Sequence, residues 1–555
     1  WRCAWGEHFN LDLDLPVPDV VTEELILENV AKHGVRAGEM GQCVKFCVPK
    51  PLRAFDRDYS KSPARKTGIS LDQSLVPRSV VDRLLVKPFM KGVDYLIVTS
   101  ADELSARGVD LQEQLPGAKS AVTAVMSIPE AAERGAFRFG ALHLVDFACL
   151  DLARDLETLG FKSVMTCERS GVRAQDPPGR NITGRILAGI PHLAKRNVIA
   201  NTVITRMDLP SQRRGAGPVA MIDTGNSQAN LTAALQEFTL SLGADLFGVA
   251  PTSRFAELAE QLDPVFAGEE LLDARNKATI FKPWDPDITT QKRTVKTPEH
   301  YLSGAKSVIV FGLRLHSEVL RWVTKPPAEA VGPFAFQTYV TNWIGEMIGV
   351  RLVKRLEELG YKGVVVSDLM STASLTDSPR GPQADLRSNR FAALAAGLGY
   401  LTDAGHIATP QFGIKQRFMA IVTDADLKAS ELYVPAQGER LCADCDHVCV
   451  KTCPTQAFAD RQVRLRCEGR GYVFTPVDGR RCDWSKRYVI SGDSGSKYIG
   501  SEVDIAPGEE ITPASLAEAL RQHHPITKQR HVVAEPCVIN CPYAISDIKV
   551  ESQVG

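Results

Sequence analysis

The chain has 555 residues, of which 44% are hydrophobic and 24% charged, and its formal net charge is -1. One hydrophobic core does not grow to this size, so about three to four domains are expected. The near-neutral charge shows no basic excess of the kind that nucleic-acid-binding domains carry. No apolar run reaches the ~18 to 20 residues of a membrane-spanning helix. A multidomain globular protein without a nucleic-acid partner is therefore expected.

The chain begins with a segment, residues 1–90, that we interpret as an N-terminal extension whose role the sequence does not indicate. Cys43 and Cys47 lie there in "CVKFC", and we interpret them as structural because no third cysteine is near. From about residue 91 the chain alternates short apolar strands with amphipathic helices. That alternation favours an α/β arrangement.

This pattern of strands and helices occurs twice. "GVDYLIVTSADEL" (92–104) is similar to "GADLFGVAPTSRF" (243–255), and "GAKSAVTAVMSIP" (117–129) is similar to "GAKSVIVFGLRLH" (304–316). Helical runs that end in "LGFK" and "LGYK" also match, at a constant offset of 200 positions. Self-similarity in a constant order indicates two related units, which we place at residues 91–225 and 226–436.

Two differences between the units favour the second as the one that binds and reacts. Its loop around "TPQFGIKQR" is longer than the corresponding part of the first unit. At the offset of 200, Tyr339 stands opposite Phe139, so only the second unit has a phenol hydroxyl there. Ordinary drift between duplicated halves is the alternative interpretation of either difference.

The region 437–555 concentrates the cysteines: it holds eight of the 13. "CADCDHVCVKTCP" reads C-x2-C-x3-C-x3-C-P, and "PCVINCP" repeats its last part. Zinc sites usually pair two CxxC knuckles, whereas closely spaced cysteines that end in CP are typical of iron–sulfur proteins. Eight thiolates suit two [4Fe–4S] clusters. Zinc and ordinary buried cysteines are the alternatives.

The ferredoxin pattern predicts how these cysteines are shared. In bacterial two-cluster ferredoxins the cysteine before the proline binds the cluster of the other motif. The predicted ligands of the first cluster are Cys442, Cys445, Cys449 and Cys541. Those of the second are Cys453, Cys467, Cys482 and Cys537. The chain departs from the pattern in two places. Ala534 stands where a cysteine is expected, so Cys467 must substitute for it. One extra residue between Cys445 and Cys449 should widen the loop of the first cluster.

From about Gly243 to Ile548 the chain resembles the cobalamin-dependent reductive dehalogenases and, more distantly, epoxyqueuosine reductase. The resemblance rests on "AALAAGLGYLTDAGHIATPQFG", "IVTDADL", "CADCDHVCVKTCPTQAF" and "CVINCP", in this order. It implies duplicated nitroreductase-like α/β (α+β) units followed by a ferredoxin-like domain with two [4Fe–4S] clusters. The first unit is then a degenerate copy that binds no cobalamin. The run "GLGYLTDAGHI" lacks the tryptophan and lysine of the "GLGWxGKxxL"-like run in epoxyqueuosine reductase.

The degenerate copy is similar to the soluble catabolic branch of the dehalogenases, which implies a cytoplasmic location. An export signal is left open, because the chain begins with Trp1. The implied reaction removes halide from a halogenated aromatic of halophenol type, using base-off cob(I)alamin with electrons relayed by the clusters.

The resemblance also implies residue roles. The residues expected to bind cobalamin are Gly397, Gly399, Tyr400, Gly405, His406, Thr409 and Gly413. Tyr339 is the expected proton donor, because a phenol with a pKa near 10 stays protonated at neutral pH, and Asp368 is the reserve candidate. Lys415 and Arg417 are expected to stabilise a tyrosinate and to bind a phenolate or carboxylate of the substrate. Packed or solvated structural roles are the alternatives.

The source of electrons lies outside the motifs. No glycine-rich dinucleotide fingerprint follows a strand, so a separate ferredoxin or flavoprotein reductase is the expected donor, and a small organohalide is the other expected partner. Two alternative functions stay open. One is another cobalamin and iron–sulfur reductase, similar to epoxyqueuosine reductase; the other is a non-catalytic electron-transfer or cobalamin-handling protein.

Overall fold

The computed structural model describes residues 76–112, 114–166, 182–190, 197–215, 227–277, 284–316, 331–374, 377–378, 381–382, 385–435, 442, 445–488, 490–491, 503–523 and 535–545. Cys43, Cys47 and most of the predicted N-terminal extension lie outside these ranges. None of the helices in these ranges is both long enough and apolar enough to cross a membrane.

The first sheet has five strands in the order β3, β4, β2, β1, β5, and every pair is antiparallel. Its strands are β1 (Tyr95–Ser100), β2 (Ser120–Ser127), β3 (Ser163–Met165), β4 (Val198–Thr205) and β5 (Gln212–Gly215). The helices of this part are α1 (Arg78–Met90), α2 (Ala101–Ser105), α3 (Phe137–Thr158) and α4 (Ile182–Ala188), with a short 3-10 helix at Glu130–Arg134. β2 is buried along almost its whole length, because side chains pack on both faces of the sheet.

The second sheet has four antiparallel strands in the order β10, β15, β9, β6. They are β6 (Leu246–Pro251), β9 (Ser307–Arg314), β10 (Gly363–Val366) and β15 (Gln416–Thr423). The accompanying helices are α5 (Gln228–Ser241), α6 (Thr252–Phe266), α7 (Val331–Glu358) and α8 (Arg390–Ala395). Counted along the chain, these four strands are ordered as β3, β4, β2, β1 are in the first sheet.

The long helices α3 and α7 lie against each other between the two sheets. The rings of His143 and Trp343, which occupy corresponding positions at the offset of 200, are 5.0 Å apart. A Cβ atom on Gly140 would come within 2.4 Å of the Glu346 carbonyl oxygen, so glycine permits the close approach of the two helices. One hydrophobic core joins both sheets through these helices, from Val98 in β1 to Phe311 in β9.

The fold class is α+β, since the sheets are antiparallel. The alternation of strands and helices would equally suit parallel sheets, and the hydrogen-bond pairing decides between the two. Helix α1, which the predicted boundary at residue 90 assigns to an extension, contributes Leu84 and Leu85 to the main core. The predicted domain boundaries and the nitroreductase-like and ferredoxin-like assignments stay predictions.

The C-terminal region consists of short elements. They are β13 (Tyr400–Leu401), β14 (Ile407–Ala408), α9 (Val448–Lys451), β16 (Val463–Cys467), β17 (Arg470–Phe474), α10 (Gly479–Lys486), α11 (Pro513–Arg521), α12 (Pro536–Ile539) and α13 (Pro542–Ile545). Before them in the chain come two hairpins, β7 (Glu270–Asn276) with β8 (Pro286–Lys292) and β11 (Asp377–Ser378) with β12 (Gly381–Pro382), and a 3-10 helix at Pro298–His300. Trp484 and Leu516 pack on Leu272 of β7 in a separate small core.

Arg254, which lies in α6, joins the turn of the β16–β17 hairpin to α8 and to the loop after β15. The guanidinium donates to both carboxylate oxygens of Glu468 in that turn, each at 2.9 Å. It also donates to the carbonyl oxygens of Ala395 at 2.6 Å and Ser430 at 2.8 Å. Only 5% of Arg254 is exposed, whereas the Glu468 side chain is 49% exposed. The ion pair with Glu468 is therefore the more exposed part of these contacts.

We expect Arg254→Met to destabilise the protein by about 3 kcal/mol, because each buried carbonyl left without a donor costs about 1–3 kcal/mol. The matched control is Glu468→Gln, which keeps both carbonyl bonds and should cost less than about 1 kcal/mol. Urea unfolding of the two variants measures the difference. Equal losses would show that the ion pair, rather than the two carbonyl contacts, accounts for the stability that Arg254 contributes.

Candidate metal centres

Five cysteines from two distant motifs line one cavity, which we call the first cysteine cavity. Four of them are Cys442, Cys445, Cys449 and Cys541, the four predicted for the first cluster, and the fifth is Cys537. Cys449 lies in α9, and Cys541 lies between α12 and α13. The backbone N–H of Asp403 donates to the Cys442 sulfur at 3.3 Å. The cavity therefore gathers the four predicted thiols and Cys537 beside a backbone donor.

The extra residue of the first motif lies in a left-handed turn. Asp446 and His447, between Cys445 and Cys449, both have φ of 51°. Two consecutive residues in this region reverse the chain sharply, which accommodates an added residue without displacing the next cysteine. The His447 imidazole lies 3.3 Å from the Asp403 carboxylate. The widened loop is thus held next to the residue that donates to Cys442.

Three further cysteines line a neighbouring cavity, which we call the second cysteine cavity. They are Cys453, Cys482 and Cys537. Cys482 lies in α10 and Cys537 in α12, while the backbone N–H of Ala457 donates to the Cys453 sulfur at 3.3 Å. Cys537 also lines the first cysteine cavity. The two cavities are therefore adjacent.

Burial dominates the protonation of these thiols. It raises the pKa of Cys442 to about 12 and raises the pKa values of Cys449, Cys482 and Cys537 above their ordinary value. Thiols in such surroundings stay protonated at neutral pH, and a bound metal ion is what converts cysteine to a thiolate ligand. The donor set suits a thiophilic metal group more than a free nucleophile.

Cations lie beside the second cysteine cavity. The guanidinium of Arg387 is 3.8 Å from the Cys482 sulfur and 3.7 Å from the Cys537 sulfur. Lys486 forms an ion pair of 2.7 Å with Asp385, and their side chains are 14% and 3% exposed. Positive charge and N–H donors at ligand sulfurs favour an anionic cluster and raise its reduction potential.

Cys467, predicted as the fourth ligand of the second cluster, lies elsewhere. It is the last residue of β16 and has no exposed surface. Its core neighbours include Leu465, Tyr472 and Phe474, and it lines neither cysteine cavity. The alternation of strand side chains explains this placement, because Leu465 and Cys467 point to the same buried face of the hairpin.

We expect Cys467→Ala to bind as much iron as the wild type. The comparison variant is Cys482→Ala, which removes a thiol from the second cysteine cavity and should lower the iron content by up to about four atoms per chain. Iron and acid-labile sulfide analysis after anaerobic reconstitution measures both. Loss of iron from Cys467→Ala would return this cysteine to the ligand set.

The predicted cobalamin-binding glycines pack against the chain itself. A Cβ atom would lie 1.9 Å from the Glu431 oxygen at Gly397 and 2.3 Å from the Ala408 oxygen at Gly399. At Gly405 it would lie 2.8 Å from the Arg390 guanidinium. These contacts explain Gly397, Gly399 and Gly405 without a ligand.

The rest of the predicted cobalamin loop is a compact β-hairpin. Tyr400 pairs with Ala408 across β13 and β14, and the backbones of Thr409 and Gly413 exchange hydrogen bonds of 2.7 and 2.9 Å. His406, which is 2% exposed, lines the first cysteine cavity, with its Nε2 atom 3.9 Å from the Cys537 sulfur. Burial, reinforced by Arg387, lowers the pKa of His406 well below its ordinary value. His406 thus lies beside the cysteines as a neutral imidazole.

The predicted catalytic residues occupy separate places in the second unit. Lys415 and Arg417 are 6% and 7% exposed, and Arg417 lies in β15 opposite Leu313. The Asp368 carboxylate accepts a hydrogen bond of 2.9 Å from the Ala373 backbone, and burial raises its pKa. Tyr339 lies in α7, but its side chain is outside the described part of the structure. Lys415 and Arg417 are therefore buried rather than solvated.

Sequence reasoning missed the charged residues around the second cysteine cavity. Arg387, Lys486 and Glu535 line this cavity with the three thiols, yet Arg387 is 150 positions from Cys537. Lys486, four residues after Cys482, and Glu535, two residues before Cys537, could have been noticed from their spacing. Its carboxylate oxygen, the Cys537 sulfur and a ring nitrogen of His406 all lie within 4.8 Å of one another.

Comparison with known proteins yields no family. No protein-family model and no curated protein sequence matches the chain. The catabolic reductive dehalogenase NpRdhA is 13% identical, with 80% of this chain and 73% of that chain covered and a TM-score of 0.27. An epoxyqueuosine reductase from Streptococcus thermophilus is 14% identical, covering 57% of this chain and 80% of that chain, with a TM-score of 0.27.

A selenomethionine-labelled epoxyqueuosine reductase is 17% identical, with 42% of this chain covered and a TM-score of 0.25. The match spans 54% of that protein, about half of its length. The similar structures thus include both kinds of reductase that the sequence motifs resemble. TM-scores this low do not establish a common fold, so the interpretation of the site depends on its own residues.

Proposed function

We propose that this protein is an iron–sulfur oxidoreductase that relays single electrons through two clusters. The observation that supports the proposal is the first cysteine cavity, where three closely spaced cysteines meet Cys541 from the last motif. Four convergent thiols match the ligand set of a [4Fe–4S] cluster. The adjoining second cysteine cavity offers three more thiols, so two clusters would lie close enough for an electron to pass between them.

The chain's own residues hold and tune the clusters in this proposal. Cys442, Cys445, Cys449 and Cys541 hold the first cluster, and Cys453, Cys482 and Cys537 hold the second. When bound, each cluster accepts and donates one electron at a time. Arg387, 5% exposed and within 3.8 Å of two ligand sulfurs, raises the reduction potential of the second cluster. A separate ferredoxin or flavoprotein would supply the electrons.

We further propose that the reaction is reductive removal of halide from a halogenated aromatic, with cobalamin as the second cofactor. The support is the order of motifs through the second unit and the cysteine region. In this proposal residues 91–225 form the degenerate unit, 226–436 the catalytic unit and 437–555 the cluster domain. Tyr339 donates a proton, Asp368 is held in reserve, and Lys415 and Arg417 bind the acidic group of the substrate.

The glycines predicted to bind cobalamin have another explanation in the structure. Gly397 and Gly399 meet backbone oxygens of the chain within 2.3 Å of a Cβ position, so no flat ligand is needed to explain them. No chemical step is therefore assigned to cobalamin, and in this proposal its binding surface includes residues other than these glycines.

Metal analysis tests the two parts of the proposal separately. Protein from cells supplied with cobalamin and iron is purified anaerobically, and iron, sulfide and cobalt are measured per chain. We expect about eight iron atoms and about one cobalt. Iron without cobalt would leave the electron-relay function and remove the dehalogenase. Absence of iron would contradict both.

We expect Tyr339→Phe to lower halide release from bromophenols by at least about 100-fold, which is the lower end of what a general acid contributes. Phenylalanine keeps the ring but removes the proton. Halide is measured with a strong chemical reductant, and iron and cobalt contents serve as controls for intact cofactor binding. Unimpaired release by a variant with full metal content would exclude Tyr339 as the proton donor.

A further inference from the structure

The second cysteine cavity has one thiol fewer than the ligand set of a ferredoxin-type [4Fe–4S] cluster. Its cysteines are Cys453, Cys482 and Cys537, whereas a cubane of this type is held by four cysteines. The remaining cysteines among the described residues do not supply the fourth ligand. Cys467 is enclosed in the apolar core of the β16–β17 hairpin, and Cys149 lies in α3. Within the described part of the chain, a fourth ligand therefore has to be another residue type.

Glu535 lines the same cavity as the three thiols. It is the residue before α12, but its side chain does not cap that helix. Its carboxylate lies within 4.8 Å of the Cys537 sulfur. In the sequence it directly follows Ala534, the position at which the ferredoxin pattern expects a cysteine. The Glu535 carboxylate therefore lies beside the three thiols. In the sequence, Glu535 is the residue after the position at which a cysteine ligand is expected.

We propose that the Glu535 carboxylate is the fourth ligand of the second cluster, an inference that rests on the proposed iron–sulfur function. Carboxylate oxygen is an established ligand of iron. The charge of the site suits this assignment. Three thiolates and one carboxylate bring four negative charges, and Arg387 and Lys486 line the cavity as cations. Lys486 also forms an ion pair of 2.7 Å with Asp385, so part of its positive charge is already compensated.

His406 is the competing ligand, because its ring nitrogen is also within 4.8 Å of Glu535 and Cys537. Two observations favour Glu535. His406 lines the first cysteine cavity, which already contains the four thiols predicted for the first cluster, and it does not line the second. It lies in the turn between β13 and β14 and its backbone is held there by Thr402. His406 therefore lies between the two cavities rather than at the position proposed for the fourth iron of the second cluster.

An oxygen ligand makes the fourth iron distinct from the other three. Carboxylate binds iron through a hard oxygen, whereas the cluster and its other ligands are sulfur. This iron should be lost first on oxidation, leaving a three-iron cluster held by Cys453, Cys482 and Cys537. The first cluster, with four thiolates, should keep its irons under the same treatment.

The test uses the full chain, reconstituted anaerobically with iron and sulfide, and compares the wild type with Glu535→Ala, Glu535→Gln and Glu535→Cys. Iron is counted per chain, and paramagnetic resonance spectra are recorded before and after oxidation. The wild type should bind about eight irons. The alanine and glutamine variants should bind about one fewer and show a three-iron signal as isolated. The cysteine variant should keep all of them and resist oxidative loss.

His406→Gln is the matched control, since it removes the competing ligand while leaving Glu535 in place. It should keep the iron content and spectrum of the wild type. Unchanged iron and spectra in both Glu535→Ala and Glu535→Gln would overturn the assignment, as would loss of the fourth iron in His406→Gln. A wild type that binds about seven irons, with a three-iron signal before oxidation, would also overturn it. A wild type without any iron would contradict the proposed iron–sulfur function itself. If only the Glu535 assignment failed, the protein would still bind the irons of the first cluster, so the two failures are distinguishable.

Discussion

Replacing Cys442 by alanine should lower the bound iron by at least about one and by up to about four atoms per chain. Cys442 is one of the four cysteines predicted for the first cluster, all of which line the first cysteine cavity. Cys453 and Cys482 of the second cysteine cavity are not among them, so the second cluster should remain. Iron and sulfide contents, with visible absorbance of the reconstituted protein, measure the loss. Electron transfer to the substrate should fall with it, because the first cluster is then incomplete or absent.

The matched control for this experiment is Cys149→Ala. Cys149 is fully buried in α3 and belongs to the main core, away from both cysteine cavities. Its substitution should leave the iron content unchanged. If Cys442→Ala kept all of its iron and its spectrum, the first cysteine cavity would not be a cluster site, and the electron-relay function would lose its main support.

Replacing Asp385 by asparagine should destabilise the protein by about 3–5 kcal/mol, the usual cost of removing one partner from a buried ion pair. The Asp385 side chain is 3% exposed, and its partner Lys486 is 14% exposed. Asparagine keeps the size of the side chain but leaves the ammonium without its carboxylate. Urea unfolding at neutral pH, with variant and wild type in the same metal-loaded state, measures the loss.

The same substitution should change the response to acid. Burial alone would raise the pKa of Asp385, but the Lys486 ammonium and the Arg387 guanidinium hold it well below its ordinary value. A carboxyl group whose folded pKa is depressed contributes stability that is present above its unfolded pKa of about 3.9 and is lost as the pH falls through the folded value. Asp385→Asn removes this contribution, so the variant should lose less additional stability than the wild type in acid.

Two controls separate the buried pair from charge in general. The double variant Asp385→Asn with Lys486→Met removes both charges and should recover much of the lost stability. Asp151→Asn breaks the pair with Lys91, whose side chains are 43% and 37% exposed, and should cost less than about 1 kcal/mol. Equal losses in Asp385→Asn and Asp151→Asn would show that burial does not strengthen the Asp385 pair.

Much of the fold was within reach of the sequence. Apolar runs such as "KSVIVFGL" predicted strands, and β9 spans Ser307–Arg314. The two similar segments predicted two units, and the first four strands of each sheet follow the same order. The pairing direction was not predictable, because short buried strands look alike in parallel and antiparallel sheets. The contribution of Leu84 and Leu85 in α1 to the main core was also not predicted, since the apolar face of a helix does not indicate which core it packs against.

The cysteines likewise include positions that the sequence predicted and one that it did not. Local spacing predicted which four thiols would meet, and Cys442, Cys445, Cys449 and Cys541 line one cavity. Spacing also predicted Cys467 as a ligand, but the register of a two-stranded hairpin turns that side chain into an apolar core. Strand register depends on which residues face the interior, and a list of cysteines does not contain it.

Residue spacing along the chain was therefore enough to identify the cysteine motifs, to predict a duplication and to predict strands such as β9. Tertiary contacts alone brought Arg387, which is 150 positions from Cys537, to the second cysteine cavity. The physical reason is range. Turns, caps and metal motifs are set by neighbours a few residues apart, whereas a buried charge is tolerated only where partners from distant segments compensate it. Those partners become known only when the chain is folded.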